Sequence, residues 1–319
     1  MENFVLSPAQ ERLLKRRWGV FNHFLYFEKE YEVPEGADPV QFHLDNWNRR
    51  VEMFDVERVA KDLHDVGAGY YFITIMQGSK YMIAPNATFD KIAGTKPGEA
   101  CAKRDLIADL IPELAKYDID LYLYYTGDGP YSDPVIGEKM GYRSWCVQPM
   151  QTVNDAFLEN WSSVMEEYAV RYGDAVKGWW VDGCYEEGVG YNQKFLAYYY
   201  RAAKKGNPDA LVAMNHGVHD DLFKWYEKEE ITSGEFNHFT YIPKSRSIDG
   251  AMPHILAPIG ANSKGTDFAW CGKGTRYSNE YMKDYVRKVN ASGGVVTIDI
   301  GIKYDSTYYP EQLEAIRGI

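Results

Sequence analysis

Short apolar runs alternate with amphipathic segments along the chain, and eight such runs occur. This alternation predicts repeated βα units over a parallel sheet. Eight strands in 319 residues favour a (β/α)₈ barrel over an open doubly wound sheet, which usually carries a GxGxxG turn after its first strand. No such turn follows Phe27. The predicted strands are Trp18–Phe27, Tyr70–Gln77, Asp120–Thr126, Gly178–Gly183, Ala210–Asn215, Ile231–Asn237, His254–Ile259 and Gly294–Gly301.

Helical periodicity occupies the segments between these runs. One helix begins with an acidic cap at Asp55, repeats apolar residues at spacings of three and four, and stops at Gly67. The segment 244–253 is too irregular to assign. The other predicted helices are 103–117, 154–172, 192–205, 219–229, 279–290 and 310–317. Since no low-complexity linker interrupts the pattern, we expect one barrel domain over residues 1–319, without a C-terminal β-sandwich.

Composition narrows the partners that the chain can have. A formal net charge of −11 argues against nucleic acid and anionic membrane surfaces, so neutral substrates fit better. Four cysteines without a CxxC pair indicate neither a zinc knuckle nor a disulfide framework, and no cofactor is predicted. The acidic start and the late basic run Lys15–Arg17 do not form a signal peptide. We expect a cytoplasmic protein, or an exported one whose signal has been removed.

Polar residues gather at the predicted carboxyl ends of the strands, where barrel enzymes place their chemistry. The run Trp179–Gly183 delivers Asp182 before a glycine turn, with Trp180 on the same strand face. Glu235 follows another strand, and its neighbour Phe236 favours a raised carboxyl pKa through desolvation. Glycoside hydrolysis needs one ionised and one protonated carboxyl group, so Asp182 and Glu235 are the predicted catalytic pair. A helix cap for Asp182 and a solvated loop position for Glu235 are the alternatives.

Further residues at this end of the barrel are candidate substrate contacts. Imidazole, amide and carboxylate groups bond sugar hydroxyls, and aromatic faces stack on sugar rings. Core packing or solvent exposure is the alternative for each of them. The candidates for hydroxyl contacts are His23, Gln77, Glu187, Asn215 and His216. The candidates for stacking are Trp47, Tyr125, Trp180 and Trp270. Glu186 and Glu187 also compete with Glu235 for the role of the acid.

Two other catalytic chemistries find little support in the sequence. A metal site could be built from Asp182, His216 and Glu235, but no HxH or HExxH spacing accompanies them. A serine hydrolase would carry a GxSxG elbow, and the chain has none. The carboxylate pair is therefore the favoured interpretation.

Four stretches of the chain, taken in order, carry a likeness to one enzyme family. They are Trp18–Tyr26, Thr74–Pro85, Trp179–Gly183 with Glu187-Gly188 after it, and Gly294–Gly301 with Pro310–Leu313 after it. Together they resemble the catalytic domain of the family 29 α-L-fucosidases. The resemblance implies a retaining mechanism with Asp182 as the nucleophile and His23 as a sugar contact. The family's acid varies in position, so Glu235 is placed by its spacing from Asp182 and not by a motif.

The chain also departs from the family pattern. Gln77-Gly78 stands where the family has a pair of histidines that grip fucose, and Phe24 replaces a tryptophan. Loss of buried hydroxyl partners changes substrate discrimination strongly. We therefore predict a glycosidase acting on fucosides or a related sugar. The alternative is a barrel that binds carbohydrate and has lost catalysis.

Overall fold

A computed structural model describes residues 4–144 and 146–319 of the chain. Helices alternate with parallel strands, as the sequence predicts. The strands are β1 Trp18–Asn22, β2 Tyr70–Thr74, β3 Asp120–Thr126, β4 Val176–Asp182, β5 Leu211–Met214, β6 His254–Pro258 and β7 Val295–Asp299. The helices are α1 Pro8–Arg16, α2 Pro39–Glu52, α3 Val56–Val66, α4 Ala87–Ala93, α5 Leu106–Ala115, α6 Pro134–Met140, α7 Asp155–Tyr172, α8 Gln193–Gly206, α9 Asn279–Ala291 and α10 Pro310–Ile316. No helix within the described ranges is long and apolar enough to cross a membrane.

The seven strands form one parallel sheet in the order β5-β4-β3-β2-β1-β7-β6. Phe21 of β1 lies opposite Phe72 of β2 on one side and Asp299 of β7 on the other. Because β1 pairs with both β2 and β7, the first and last strands of the chain meet in the middle of the sheet. The protein is therefore an α/β fold with TIM-like character, in which the sheet is open between β5 and β6.

The predicted strand Ile231–Asn237 lies at this opening but is not a continuous strand. It makes two isolated parallel bridges, from Ile231 to Met252 and from Glu235 to Leu256. Gly234 lies between the bridges at φ 58°, outside the extended region, and this conformation interrupts the ladder. The prediction of eight continuous strands is thus wrong at the sixth position, where a strand-like segment replaces it.

Carboxylates occupy the edge of β5 that faces this segment. The backbone N–H of Met214 donates to Glu229 Oε2 at 2.9 Å, and that of Val212 donates to Glu230 Oε2 at 3.1 Å. Among the described residues, only one backbone hydrogen bond joins β5 to this segment, from Glu230 N to the Val212 carbonyl at 3.3 Å. Side chains therefore take the place of a regular ladder between β5 and the segment.

The predicted helix 219–229 is also wrong, since the described chain has no helix between α8 and α9. In this segment, side-chain oxygens accept from two backbone N–H groups that a helix would use. Leu222 N donates to Asp221 Oδ1 at 2.9 Å, and Trp225 N donates to Glu229 Oε1 at 2.6 Å. Such local bonds compete with helix formation. The irregular segment 244–253 contains no helix either.

The sequence analysis did not predict four of the helices, namely α1, α2, α4 and α6. Each has a side-chain cap, and three have proline in the first turn. Ser7 and Gln10 form a capping box before α1, and Asp38 precedes Pro39 at the start of α2. Asn86 and Asp133 cap α4 and α6 in the same way. These cap and proline signals could have been recognised in the sequence.

The space enclosed by the strands is filled mainly by aromatic side chains. Glycines on neighbouring strands make room for them: a Cβ at Gly19 would lie 2.2 Å from the ring of Tyr70, and one at Gly178 would lie 2.7 Å from that of Tyr122. The buried residues of this interior include Leu13, Phe21, Tyr70, Phe72, Tyr122, Tyr124, Trp180, Leu211, Ile231, Met252 and Leu256. Residues from both edges of the open sheet thus pack in the same interior cluster.

Helix α1 closes the end of the barrel opposite the carboxyl ends of the strands. Leu13 joins the interior cluster, while Arg12 and Arg16 reach the buried carboxylate of Asp120 at the start of β3. Arg12 Nε donates to Asp120 Oδ2 at 2.7 Å, and Arg16 Nε donates to the same oxygen at 3.0 Å. Arg16 also bonds the exposed Asp118 at 2.6 Å.

The two aspartates provide a matched test of this end of the barrel. Asp120→Asn should lower the free energy of unfolding by about 2 kcal/mol, because two arginines lose a buried carboxylate partner. Asp118→Asn should cost at most about 0.5 kcal/mol, since exposed ion pairs contribute little. Chemical denaturation of both variants measures the difference. Equal effects would contradict the greater weight of the buried pair.

Candidate active site

A cleft of about 280 Å³ opens at the carboxyl ends of the strands. It is lined by residues from most of the strand ends and from the loops that follow them. Those predicted from the sequence are His23, Gln77, Trp180, Asp182, Glu235 and Trp270. Those that the sequence analysis missed as substrate contacts include Phe27, Tyr124, Tyr185 and Cys271.

Asp182 is half-buried at the end of β4 and accepts three side-chain hydrogen bonds. The donors are the Tyr124 hydroxyl at 2.5 Å, Asn215 Nδ2 at 2.7 Å and Gln77 Nε2 at 3.4 Å. The next residue must be glycine, because Gly183 has φ 67° and a Cβ there would lie 2.5 Å from a carboxylate oxygen of Asp128. The carboxylate is therefore held in one orientation, facing the cleft.

Glu235 is held on the opposite side of the break in the sheet. The preceding Gly234 packs so closely that a Cβ would lie 1.7 Å from the His254 carbonyl oxygen. On either side, Leu256 N donates to the Gly234 carbonyl at 2.8 Å, and Phe236 N donates to the Leu256 carbonyl at 2.9 Å. Burial, and then the nearby charge of Asp182, raise the pKa of Glu235 to about 7.

A single amide connects the two carboxyl groups. Asn215 Nδ2 donates to Asp182 Oδ1 at 2.7 Å and to Glu235 Oε2 at 2.7 Å. Two such contacts to one nitrogen hold the carboxylate oxygens at most about 5.4 Å apart, which is twice one contact length. Asn215 is buried, and its Oδ1 accepts from Gly217 N at 3.1 Å. Asn215 was predicted to contact the sugar, but both hydrogens of its amide are donated to the two carboxyl groups.

His23 lies just beyond β1, in contact with a buried carboxylate. Its Nδ1 is 2.9 Å from Asp299 Oδ1, while Asp299 Oδ2 accepts from Cys271 N at 2.7 Å. This contact fixes the orientation of the imidazole ring, with Nδ1 on Asp299 and Nε2 as the other ring nitrogen. No bond to Nε2 is found within the described residues, so this nitrogen is available to a ligand.

Aromatic rings form the walls of the cleft. Trp180 stacks on Tyr124 with ring centroids 5.6 Å apart, and its Nε1 donates to the Ser233 carbonyl at 2.9 Å. Trp270 meets His23 edge-on with centroids 5.9 Å apart. The pKa of the lining residue Tyr185 is raised by the charge of Asp182 first and by burial second. The phenol therefore stays neutral and can donate a hydrogen bond near the carboxylates.

Two of the predicted stacking residues lie in the core and not in the cleft. Tyr125 is buried between the sheet and α7, where its hydroxyl donates to the Trp161 carbonyl at 2.9 Å. Trp47 is buried on α2, with Nε1 donating to the Met82 carbonyl at 3.2 Å. Strand alternation puts Tyr124, and not Tyr125, on the inner face of β3. The sequence alone did not show which of the two residues faces the interior of the barrel, since both are tyrosines.

The loop residues predicted as contacts also lie outside the cleft lining. His216 packs edge-on against Trp225 with centroids 4.5 Å apart, and its Nδ1 is 3.1 Å from His219 Nε2. Glu186 and Glu187 are exposed on the turn after β4. None of the three lines the cleft. Among the described residues, no three His, Cys, Asp or Glu side chains are grouped to hold a metal ion.

Comparison with known proteins gives matches to solved structures only. No protein-family model matches the chain. No curated protein matches it in sequence. A structure of a bacterial fucosidase with a pyrrolidine-triazole inhibitor is similar at 18% identity, covering 99% of this chain and 73% of that one, with a TM-score of 0.68. The expected resemblance to the fucosidase fold is confirmed.

Two further structures extend this likeness. A family 29 α-L-fucosidase from Bacteroides thetaiotaomicron, trapped as a covalent intermediate with 2-fluoro-fucosyl fluoride, is 18% identical. The match covers 99% of this chain and 75% of that one, with a TM-score of 0.66. An endo-fucoidan hydrolase of glycoside hydrolase family 107 is 14% identical, with 97% and 91% of the two chains covered and a TM-score of 0.68. At these identities the likeness concerns the fold.

The coupling between the two carboxyl groups can be tested without any substrate. Asp182→Asn should lower the pKa of Glu235 from about 7, because the charge of Asp182 disfavours ionisation of its neighbour. Infrared titration of the protonated carboxyl band would measure the change. Glu229 is an internal control, since burial raises its pKa to about 8 with no contribution from Asp182. An unchanged Glu235 pKa in the variant would show that the two groups do not interact.

Proposed function

We propose that the protein is a retaining glycoside hydrolase acting on α-L-fucosides or a closely related sugar, on a (β/α)₈-type barrel. The bridge of Asn215 between Asp182 and Glu235 is the observation that carries this proposal. It keeps Asp182 Oδ1 and Glu235 Oε2 at most about 5.4 Å apart, which is compatible with the spacing of about 5 to 5.5 Å between the two carboxyl groups of retaining glycosidases. Inverting enzymes need a wider gap for a water molecule.

The environments of the two carboxyl groups suit different roles. Asp182 accepts bonds from Tyr124 and Asn215, which hold its carboxyl group in the fixed position that a nucleophile needs. Glu235 has a pKa raised to about 7, so near neutral pH much of it holds the proton that the leaving oxygen requires. After the glycosyl–enzyme ester forms, the same Glu235, now ionised, activates the water that hydrolyses it.

The choice of sugar follows from the cleft and from the similar structures. Trp270 offers a partly exposed ring, while His23 Nε2 and the Tyr185 hydroxyl offer polar contacts. Gln77 occupies the place of the fucosidase histidine pair and already donates to Asp182 at 3.4 Å. Both groups of similar structures are described as acting on fucose-containing substrates, which supports a fucoside or a near relative.

A panel of nitrophenyl glycosides tests the proposal. Turnover is expected on the α-L-fucoside or on a stereochemical relative such as the α-L-galactoside or the β-D-galactoside. Asp182→Asn should reduce the rate by about 10⁴-fold or more, because the nucleophile is lost while the fold is kept. Proton NMR identifies which anomer of the sugar is released first, and so shows whether the configuration at the anomeric carbon is retained. A variant with near-normal turnover would remove Asp182 from the mechanism.

The pH profile tests the role of Glu235. Because its pKa is raised to about 7, kcat/KM should fall about tenfold per pH unit above that value as the acid loses its proton. Glu235→Gln should slow substrates with poor leaving groups by about 10² to 10⁴-fold and abolish this alkaline limb. Glu186→Gln is the matched control, since this exposed rival acid should leave the limb in place. If the alkaline limb disappeared in Glu186→Gln and remained in Glu235→Gln, Glu186 and not Glu235 would be the catalytic acid.

One observation favours a second function. Gln77-Gly78 removes both imidazoles that the fucosidase resemblance would supply, so a carbohydrate-binding barrel without catalysis is the rival proposal. Saturable sugar binding with no product from any member of the panel would establish it.

A further inference from the structure

A second cavity of about 780 Å³ adjoins the catalytic cleft. Four residues line both cavities and form the shared wall: His23, Leu25, Phe27 and Cys271. The remaining lining comes mainly from the loop after β7, with Arg50 of α2 and Lys273 beside it. The cleft itself, at about 280 Å³, is small for anything beyond one sugar ring, so the adjoining cavity extends the binding surface.

Three cations line this second cavity, and none of them forms an ion pair within the described residues. They are Arg50, Lys273 and Lys303. Arg50 lies with its guanidinium carbon 3.8 Å from the ring centroid of Tyr304, and one terminal nitrogen donates to the Leu25 carbonyl. Its Nε is buried and has no hydrogen-bond partner among the described residues. The guanidinium group is thus held beside Tyr304 without a carboxylate partner among the described residues.

Two acids also line the cavity, and both are engaged elsewhere. Glu30 Oε2 accepts from the Tyr304 hydroxyl at 3.2 Å. Asp305 Oδ1 accepts from Thr307 N at 3.0 Å and from Thr307 Oγ1 at 2.6 Å. The lining thus has one more cation than acids, on a chain whose formal net charge is −11.

Aromatic rings accompany these charges. Tyr304, Tyr309 and Phe27 line the cavity, and Tyr304 is 50% exposed. Lys303 Nζ is 4.9 Å from the centroid of Tyr309. Ring faces beside cations suit a sugar that carries negative charge, since the ring packs on the apolar face and the anion meets the cation.

We propose that this cavity is a neighbouring-sugar subsite, which accepts a saccharide residue carrying a carboxylate or a sulfate ester. The subsite rests on the glycoside hydrolase function proposed for the adjoining cleft. It replaces the expectation of neutral substrates, because the local charge of the cavity opposes the charge of the whole chain. The substrate class is then an anionic oligosaccharide, with its terminal or cleaved sugar in the cleft and its charged neighbour beside Arg50, Lys273 and Lys303.

Binding to the Asp182→Asn variant tests the subsite without turnover. The probes are a sulfated fucoidan tetrasaccharide, the same tetrasaccharide after chemical desulfation, and tetragalacturonic acid as the carboxylate. By calorimetry at low ionic strength, at least one anionic probe should bind about tenfold more tightly than the desulfated one. Which anionic probe binds identifies the accepted group. Equal or weaker binding of both anionic probes would overturn the proposal.

Paired lysine substitutions locate the effect. Lys273→Ala with Lys303→Ala should weaken binding of the anionic probe about tenfold and leave the desulfated probe within twofold. Lys194→Ala with Lys205→Ala removes two charges from the exposed face of α8 and is the matched control, with no change expected. If both pairs of lysine substitutions weakened binding of the anionic probe equally, the effect would come from the overall charge of the protein, and the subsite would be refuted.

The two proposals can fail separately. Lysine-dependent binding of an anionic probe, together with wild-type protein that turns over no glycoside, would reject the hydrolase and keep the charged subsite. Turnover of an aryl glycoside without any preference for the anionic probes would keep the hydrolase and reject the subsite.

Discussion

The hydrogen bonds of one buried amide hold the candidate site together. Asn215 donates to both carboxyl groups, and its own position is fixed by the backbone, where Asn215 N donates to the Val181 carbonyl at 2.7 Å and Cys184 N donates to the Asn215 carbonyl at 3.0 Å. The spacing of the carboxyl groups is therefore set by the register of β4 and β5. Because Asn215 adjoins the opening in the sheet, the site also depends on how the segment that carries Glu235 is attached.

That attachment uses side chains where a regular barrel would use backbone. The segment bonds β6 through the backbone of Gly234 and Phe236, but it meets β5 mainly through the carboxylates of Glu229 and Glu230. Gly234 supplies a left-handed turn that a side chain could not adopt without striking the His254 carbonyl. The interruption of the strand thus places Glu235 over the cleft, within reach of Asn215.

Periodicity in the sequence predicted most of the architecture, because alternating strands and helices are set by local pattern. It placed seven strands and most helices, and the strand-end rule brought Asp182, Glu235, His23 and Gln77 into one cleft. It failed where tertiary contacts decide. In the helix expected at 219–229, two backbone N–H groups donate instead to the side chains of Asp221 and Glu229. The inner face of β3 carries Tyr124 and not Tyr125. The ring of His216 packs against Trp225. The bridging role of Asn215 depends on three elements meeting, which a linear pattern does not contain.

The carboxylates along β5 have a consequence beyond the site. An open sheet exposes edge strands whose free N–H groups can recruit a strand from another molecule and begin aggregation. In this protein the N–H groups of Val212 and Met214 are already occupied by Glu230 and Glu229, and Lys204 lies 2.5 Å from Glu230 as a counter-charge. These two donors are therefore not free to pair with a strand from another molecule at the edge of β5 that faces the opening.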